Sequence, residues 1–304
     1  MLITKKPKMD DDVREKYNQA GKIAAEAREF GKQLIKEDRS ILEVVTEIED
    51  LIVKRGARVA FPVNIAIDDV AAHFTPKHDD TKLVFQRGNI VKLDVGAHLE
   101  GYIADTAVTV EVSTRNWQDL IKASKEALDV AIDMVRPGIN LGHIGKAVAQ
   151  TISQYGFKPI SNLTGHSLEK YKLHAGISIP NVEEYYPEKV KAGQVLAIEP
   201  FATDGAGEVK GYKMSNIYRY VRDRPINDND ANHILTKIKN YRKSLPFSER
   251  WCNRYLPNPK KALHRLMQNR IISMYPILKD KGSGMVSQAE HSVVVTKDGC
   301  EVIT

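Results

Sequence analysis

The sequence predicts an α+β protein, and three observations carry that expectation. Helical patterns come in pairs, at 13–56 and 116–156; short β-branched runs follow each pair; and strand and helix do not alternate singly as they do in βαβ units. Helices grouped against a largely antiparallel sheet answer this order.

The elements follow in turn. From Val13, apolar or small residues recur at Tyr17, Ala20, Ala24, Ala27 and Leu34, a helical stripe with charges opposite. Ser40 and Glu43 make a capping box for the run Ile41 to Lys54, and Gly56 offers its stop. Strand signals then span 58–67, 90–95 and 103–112, and the last two are joined by a hairpin-like AHLEGY. Asn116 opens a helix through Leu120, Ala127, Leu128, Ala131 and Val135, closed by Arg136-Pro137-Gly138; Asn140 caps the next, which ends at Gly156. Further strands are expected at 195–199, 208–212, 271–275 and 292–296. The two halves read as a faint internal duplication.

Composition excludes several classes. The chain has 304 residues, a formal charge of +6 and a hydrophobic fraction of 42%, which argues against long disorder. No apolar run reaches the roughly 18 residues of a membrane span. The opening MLITKKPKMDDDVREK has no apolar core of a secretory signal. Two cysteines, Cys252 and Cys300, make neither a disulfide framework nor a cysteine zinc site. A cytoplasmic protein is expected, and any metal must be held by His, Asp and Glu. Between Lys210 and Lys279 there are 16 Lys plus Arg against 4 Asp plus Glu. The centre of that segment reads as short helices divided by Pro246, Pro257 and Pro259, a basic helical insertion over about 213–270 within one catalytic domain spanning 1–304.

Four acids stand where strands disfavour them: Asp94 in VKLDVGA, Asp105 in YIADTAVTV, Glu199 in VLAIEPF and Glu290 in QAEHSVVV. A buried carboxylate needs a cation or several donors. Each acid alone reads as a salt bridge or strand-edge residue; all four together call for one shared explanation. His166 and His174 are flanked by small residues that allow close approach, and His73 lies in AAHFTP; His78, His98 and His143 are assigned to the surface. Four negative charges balance two divalent cations, and with one imidazole they make a mainly oxygen site suited to Mn, Fe, Co or Zn. Two such ions can share a hydroxide and stabilise the oxyanion that develops in a hydrolysis.

The motifs KLDVG, IADTAVTV, GHSLEKYKLHAG, AIEPFATDGAG and QAEHSV, taken in order, resemble the methionine aminopeptidases of the pita-bread family, over nearly the whole chain. That family implies a pseudo-twofold antiparallel sheet covered by helices. The basic insertion resembles the helical subdomain of the type 2 enzymes, and the short N-terminus resembles their archaeal form. The resemblance implies five metal ligands, Asp94, Asp105, His166, Glu199 and Glu290, with Asp94 and Glu290 shared between two ions. It also implies Glu199 as a proton shuttle and His73 and His174 as substrate contacts. Phe61, Phe201 and Tyr275 match wall positions of a methionine pocket, and each also reads as an ordinary core aromatic. Asn216 stands loosely where type 2 enzymes often have histidine. The implied substrates are N-terminal methionine peptides and nascent chains, with a small second residue. The competing readings are a prolidase-like or general aminopeptidase and a metal-free RNA- or protein-binding relative. The basic insertion is either a contact for the ribosome or a solvated face.

Overall fold

The computed structural model describes residues 9–304, so the first eight residues of the stretch read for a secretory signal lie outside the described residues. The first half opens with α1 (Asp11–Leu34) and α2 (Ile41–Lys54). Ala20, Ala24 and Ala27 are fully buried, so α1 lies close against a sheet. Ser40 caps α2 by accepting from the Glu43 N–H.

The sheet beneath these helices begins with β1 (Arg58–Val59) and β2 (Asn64–Ile67), then β3 (Val70–Ala72), β4 (Ile90–Leu99) and β5 (Tyr102–Glu111). One strand was expected over 58–67, but β1 and β2 are separate and pair in succession along β4. Pro62 lies between them and has no N–H to offer a ladder. β4 and β5 pair over their whole length, from Ile90↔Glu111 to Leu99↔Tyr102. The two turn residues, Glu100 and Gly101, have φ of 51° and 95°. Both being positive, they suit the tight mirror-image turn that matches the twist of a hairpin.

The second half repeats the plan. α3 (Gln118–Met134) starts two residues after Asn116, because the Glu111 carboxylate accepts the N–H groups of Asn116 and Trp117 and holds them as a loop. α4 (Leu141–Gln154) is capped by Asn140. There follow β6 (Lys158–Pro159), β7 (Thr164–Leu168), β8 (Ser178–Pro180), β9 (Val195–Ile198), β10 (Phe201–Thr203) and β11 (Val209–Tyr220). The basic segment then supplies α5 (Asn229–Tyr241), β12 (Phe247–Ser248), α6 (Glu249–Cys252) and α7 (Lys260–Gln268). β13 (Ile272–Asp280), β14 (Val286–Gln288), β15 (His291–Val295) and β16 (Cys300–Val302) complete the chain. β11 and β13 outrun the strands expected at 208–212 and 271–275, pairing from Val209↔Asp280 to Tyr220↔Ile272. Much of β11 is solvent-exposed, so it lacks the apolar alternation that marks a strand.

All these pairings are antiparallel, in the orders β16-β15-β9-β7-β8, β14-β10-β6 and β12-β11-β13-β3, beside the β1-β4-β2 sheet that carries β5. α1 and α2 share one core with β4 and with α5 and α7, while α3 and α4 bury Leu120, Leu141 and Ile144 against Leu196 and Val293. The inserted helices are tied down at Glu49 of α2, which accepts from Arg250 at 2.7 and 2.9 Å and from the Trp251 indole at 2.7 Å. The two half-sheets are joined where Ala107 of β5 and Glu290 exchange backbone hydrogen bonds of 3.2 and 3.1 Å. The Ser292 hydroxyl, bonded to the N–H and C=O of Asp105, closes the same seam.

One surface assignment is corrected. His98 is 1% exposed, paired opposite Arg58 and covered by the Tyr171 ring. Its sequence neighbours gave no sign of this, because its burial comes from segments distant along the chain. Among the described residues, no helix is long and apolar enough to cross a membrane.

Candidate metal centre

Strand register gathers the acids. Asp94 stands opposite Ala107 and Gly96 opposite Asp105, so both carboxylates project from one face of the hairpin. Ala107 in turn bridges Glu290, which places Glu290 beside Asp94 across one intervening strand. On the other side, His166 of β7 stands opposite Ala197, and Glu199 leaves the end of β9 two residues later on the same face. His166 Nε2 lies 3.5 Å from Glu199 Oε1 and 3.8 Å from Asp105 Oδ2.

These five side chains line a cavity of about 230 Å³, together with His73, His174, Phe61, Phe201 and Tyr275. The five expected ligands, the two expected substrate histidines and the three expected pocket aromatics are therefore brought to one place. The aromatics also belong to the packing: Phe61 and Phe201 line the cavity yet are 5% and 1% exposed. Asn216 does not face it. Its side chain donates to Thr75 O, and the neighbouring Ile217 lines the wall instead.

The electrostatics of the cluster are unfavourable without cations. Burial pushes the Asp94 carboxyl up to about 7. Burial, and then the charges of Asp94 and Glu199, hold Asp105 far above the carboxylate range. Burial and Asp94 do the same to Glu199; burial, Asp105, Glu199 and Asp94 do the same to Glu290. Burial drives His166 down to about 3, so its imidazole is neutral and can act as a ligand. One oxygen each of Asp94, Asp105 and Glu290 is buried without a hydrogen-bond partner. Donor atoms of Asp105, His166 and Glu290 lie within 4.8 Å of one another, a span that small inward shifts would close around an ion with ligands at roughly 2.0–2.3 Å. The donor set, its orphaned oxygens and its charge fit divalent metal.

The two remaining histidines stand apart. His73 follows β3 with φ of 66°, a left-handed conformation uncommon for histidine. Its Nδ1 lies 3.1 Å from Pro276 O and its ring 5.0 Å from Tyr275. Because the carbonyl can only accept, Nδ1 carries the proton and Nε2 keeps a lone pair. Burial lowers His73 to about 4. The His174 ring lies 4.4 Å from that of His166. Burial, then Arg219, holds His174 below the usual imidazole range.

Two further residues of the cavity were missed in the sequence. Gln288 donates to Glu290 Oε2 at 3.3 Å, and Asn64, opposite Asp94, has a buried side-chain oxygen without a partner. The spacing of Gln288 two residues before Glu290 was the one readable signal; Asn64 offered none.

A helix-covered antiparallel fold with four carboxylates and an imidazole converging in a cavity defines a metal-dependent hydrolase. The model of metallopeptidase family M24 matches residues 15–297. The methionine aminopeptidase of Methanocaldococcus jannaschii is 45% identical over 296 residues, covering 97% of this chain and all of the relative. Among solved structures, a thermophilic Arx1 matches with a TM-score of 0.84 at 17% identity, over 97% of this chain and 91% of that one. A methionine aminopeptidase of Thermotoga maritima matches with 0.70 at 22% identity, over 100% and 99%. The chain belongs to metallopeptidase family M24, with the methionine aminopeptidases, and has their pita-bread fold.

Proposed function

We propose that this enzyme removes the N-terminal methionine from peptides and nascent chains whose second residue is small. The supporting observation is the convergence of Asp94, Asp105, His166, Glu199 and Glu290, with orphaned oxygens, at the floor of a cavity walled by Phe61, Leu173, Ile217 and Tyr275. In this reading those five side chains hold two divalent ions, drawn from Co, Mn, Fe or Zn. Asp94 and Glu290, which both pair with Ala107, would serve both. The ions supply Lewis-acid polarisation of the scissile carbonyl and a nucleophilic water at neutral pH.

The protein's own residues do the rest. Glu199, which lines the cavity, would as a carboxylate take the proton of the attacking water and return it to the leaving amine. His174 donates to the carbonyl oxygen as charge develops there. His73 presents its Nε2 lone pair, so it accepts from the N–H of the scissile amide. The apolar wall accommodates the unbranched thioether of methionine. The insertion at 213–270 acts as a subdomain of the single catalytic domain. Its excess of cations supports docking against ribosomal phosphate, where new N-termini emerge in the cytoplasm.

Hydrolysis of Met-Ala-Ser, acetyl-Met-Ala-Ser, Leu-Ala-Ser and Ala-Pro at equal concentration tests the reading. Met-Ala-Ser should be cut fastest and the acetylated peptide not at all, since its blocked amine cannot bind as a free amine does. Preferred cleavage of Ala-Pro would instead establish a prolidase-like enzyme.

A further inference from the structure

The cavity above the metal centre has a cation at its rim. Ile217 of β11 and Tyr275 of β13 form part of the cavity wall. Farther along the same two strands, Arg219 stands opposite Ser273. Side chains two residues apart on a strand share a face, so Arg219 and Ser273 continue the Ile217–Tyr275 wall by one step. The alternation of burial agrees. Tyr218 and Met274, which also pair, turn the other way and pack into the core shared with α5 and α7. Arg219 is exposed, so the step leads outward, to the mouth.

Two contacts fix the guanidinium there. Its Nε donates to Ser273 Oγ at 2.9 Å, and its carbon lies 5.5 Å from the centre of the Tyr275 ring. Those contacts hold one edge of the group, while the paired Nη groups at its end meet no carboxylate among the described residues. Arg250, by contrast, is paired inside the fold with Glu49, and Arg242 with Val59 O. None of the side chains that line the cavity is Lys or Arg. Arg219 is therefore the cation that stands against its wall, and it is the charged group that acts on His174. An arginine on an open surface is solvated and calls for nothing more. One held against a wall residue of a substrate cavity, with its fork unpaired, is placed to meet what the cavity admits.

We propose that Arg219 selects peptides that carry a carboxylate at their third residue. The inference rests on the reading of the cavity as a site for methionine peptides. A peptide entering amine-first sets its first carbonyl beside His174, and its chain then advances by about 3.3–3.6 Å per residue. The second residue is level with the wall and the third with the rim, where Arg219 stands. The end of a guanidinium takes both oxygens of a carboxylate in parallel hydrogen bonds. Two sources offer that group: an acidic side chain at the third position, and the free α-carboxylate of a tripeptide. The contact is remote from the scissile bond, so it is made equally in the ground and transition states. It lowers KM and leaves kcat as it is.

The test compares hydrolysis of Met-Ala-Glu-amide, Met-Ala-Gln-amide and Met-Ala-Lys-amide by the metal-loaded enzyme at low ionic strength. Glu and Gln share a shape and differ in charge. The ratio of kcat/KM for the Glu peptide over the Gln peptide should be about five in the parent, the upper range for an exposed ion pair, and should reside in KM. It should fall to about one in Arg219→Gln, and likewise in the parent at about 1 M salt. Arg219→Glu should invert the order, so that the Lys peptide is cut faster than the Glu peptide. Inversion by charge reversal is a result that a merely structural arginine would not give. Met-Ala-Gln as the free acid, cut faster than its amide by the parent but not by Arg219→Gln, would add the α-carboxylate as a source; equal rates would confine recognition to the side chain. A Glu-to-Gln ratio of one in the parent, or a ratio that survives Arg219→Gln, would overturn the assignment and leave methionine removal standing. Cleavage of none of the three amides would overturn the methionine reading and this inference with it.

Discussion

Asp94 and Glu290 stand on either side of one residue, Ala107: Asp94 across the β4–β5 ladder and Glu290 across the bridge that joins the two half-sheets. The seam of the fold and the centre of the acidic cluster therefore coincide. Whatever binds between these carboxylates also fastens one half of the molecule to the other.

Asp94→Asn tests that coupling. The substitution removes a shared negative charge from a cluster that lacks compensation, so metal affinity and peptidase activity should fall together, each by about a hundredfold or more. The chelator-treated variant should melt no lower than the chelator-treated parent, because one of four mutually repelling carboxylates is gone. Elemental analysis and thermal melts with and without chelator provide both readings. Full metal content in the variant would remove Asp94 from the ligand set.

The same carboxylates set a pH dependence. Their folded-state pKa values are raised, Asp94 to about 7. A raised carboxyl means that the folded chain binds more protons than the unfolded chain, so this contribution is fully present below about pH 4 and is lost as pH climbs through 7. Chelated protein should therefore become less stable relative to metal-loaded protein between pH 5 and pH 8. Metals compete with those protons, so their stabilising effect should grow over the same range. A gap between chelated and loaded melting temperatures that stays constant with pH would contradict this.

How much of this was legible in the sequence depends on the residue. Asp94, Asp105, Glu199 and Glu290 could be singled out because acids in β-branched runs break a local rule, and the structure gathers all four. The helix pairs were equally plain, through caps such as Ser40 and Asn140. Gln288 carried only its spacing from Glu290, and Asn64 and His98 carried nothing, because their environments are made by cross-strand partners. Asn64 matters because it stands opposite Asp94, and His98 is buried because Arg58 and Tyr171 reach it from distant segments. The length of β11 escaped for another reason: a strand with an exposed, charged middle carries no apolar period.

His73 separates substrate handling from metal binding. Its ring is held by Pro276 and Tyr275 and makes no contact with the five clustered donors through Nδ1. His73→Asn, which tolerates the left-handed backbone, should keep full metal content while slowing turnover by about a hundredfold, the lower range for a positioned proton-handling group. Metal analysis alongside kcat and KM decides it. Loss of metal equal to that in Asp94→Asn would erase the distinction.

The final prediction concerns the pocket wall. Gly96 stands opposite Asp105, and a Cβ added there would lie 2.2 Å from Phe61 Cε1, 2.7 Å from Cδ1 and 2.8 Å from Cζ. Phe61 is buried, so its ring cannot swing into solvent without surrendering packing. Gly96→Ala should therefore destabilise the enzyme by about 1–3 kcal/mol, the usual range for overpacking a core. Since Phe61 also lines the cavity, its displacement should raise KM for methionine peptides more than it lowers metal content. Phe61→Leu removes the colliding ring edge, so Gly96→Ala should cost less in the Phe61→Leu background than in the parent. A double-mutant cycle by denaturant unfolding measures the difference, and residues in direct contact commonly couple by about 0.5–3 kcal/mol. Strict additivity of the two substitutions would show that the close approach of Gly96 to Phe61 does not shape the pocket.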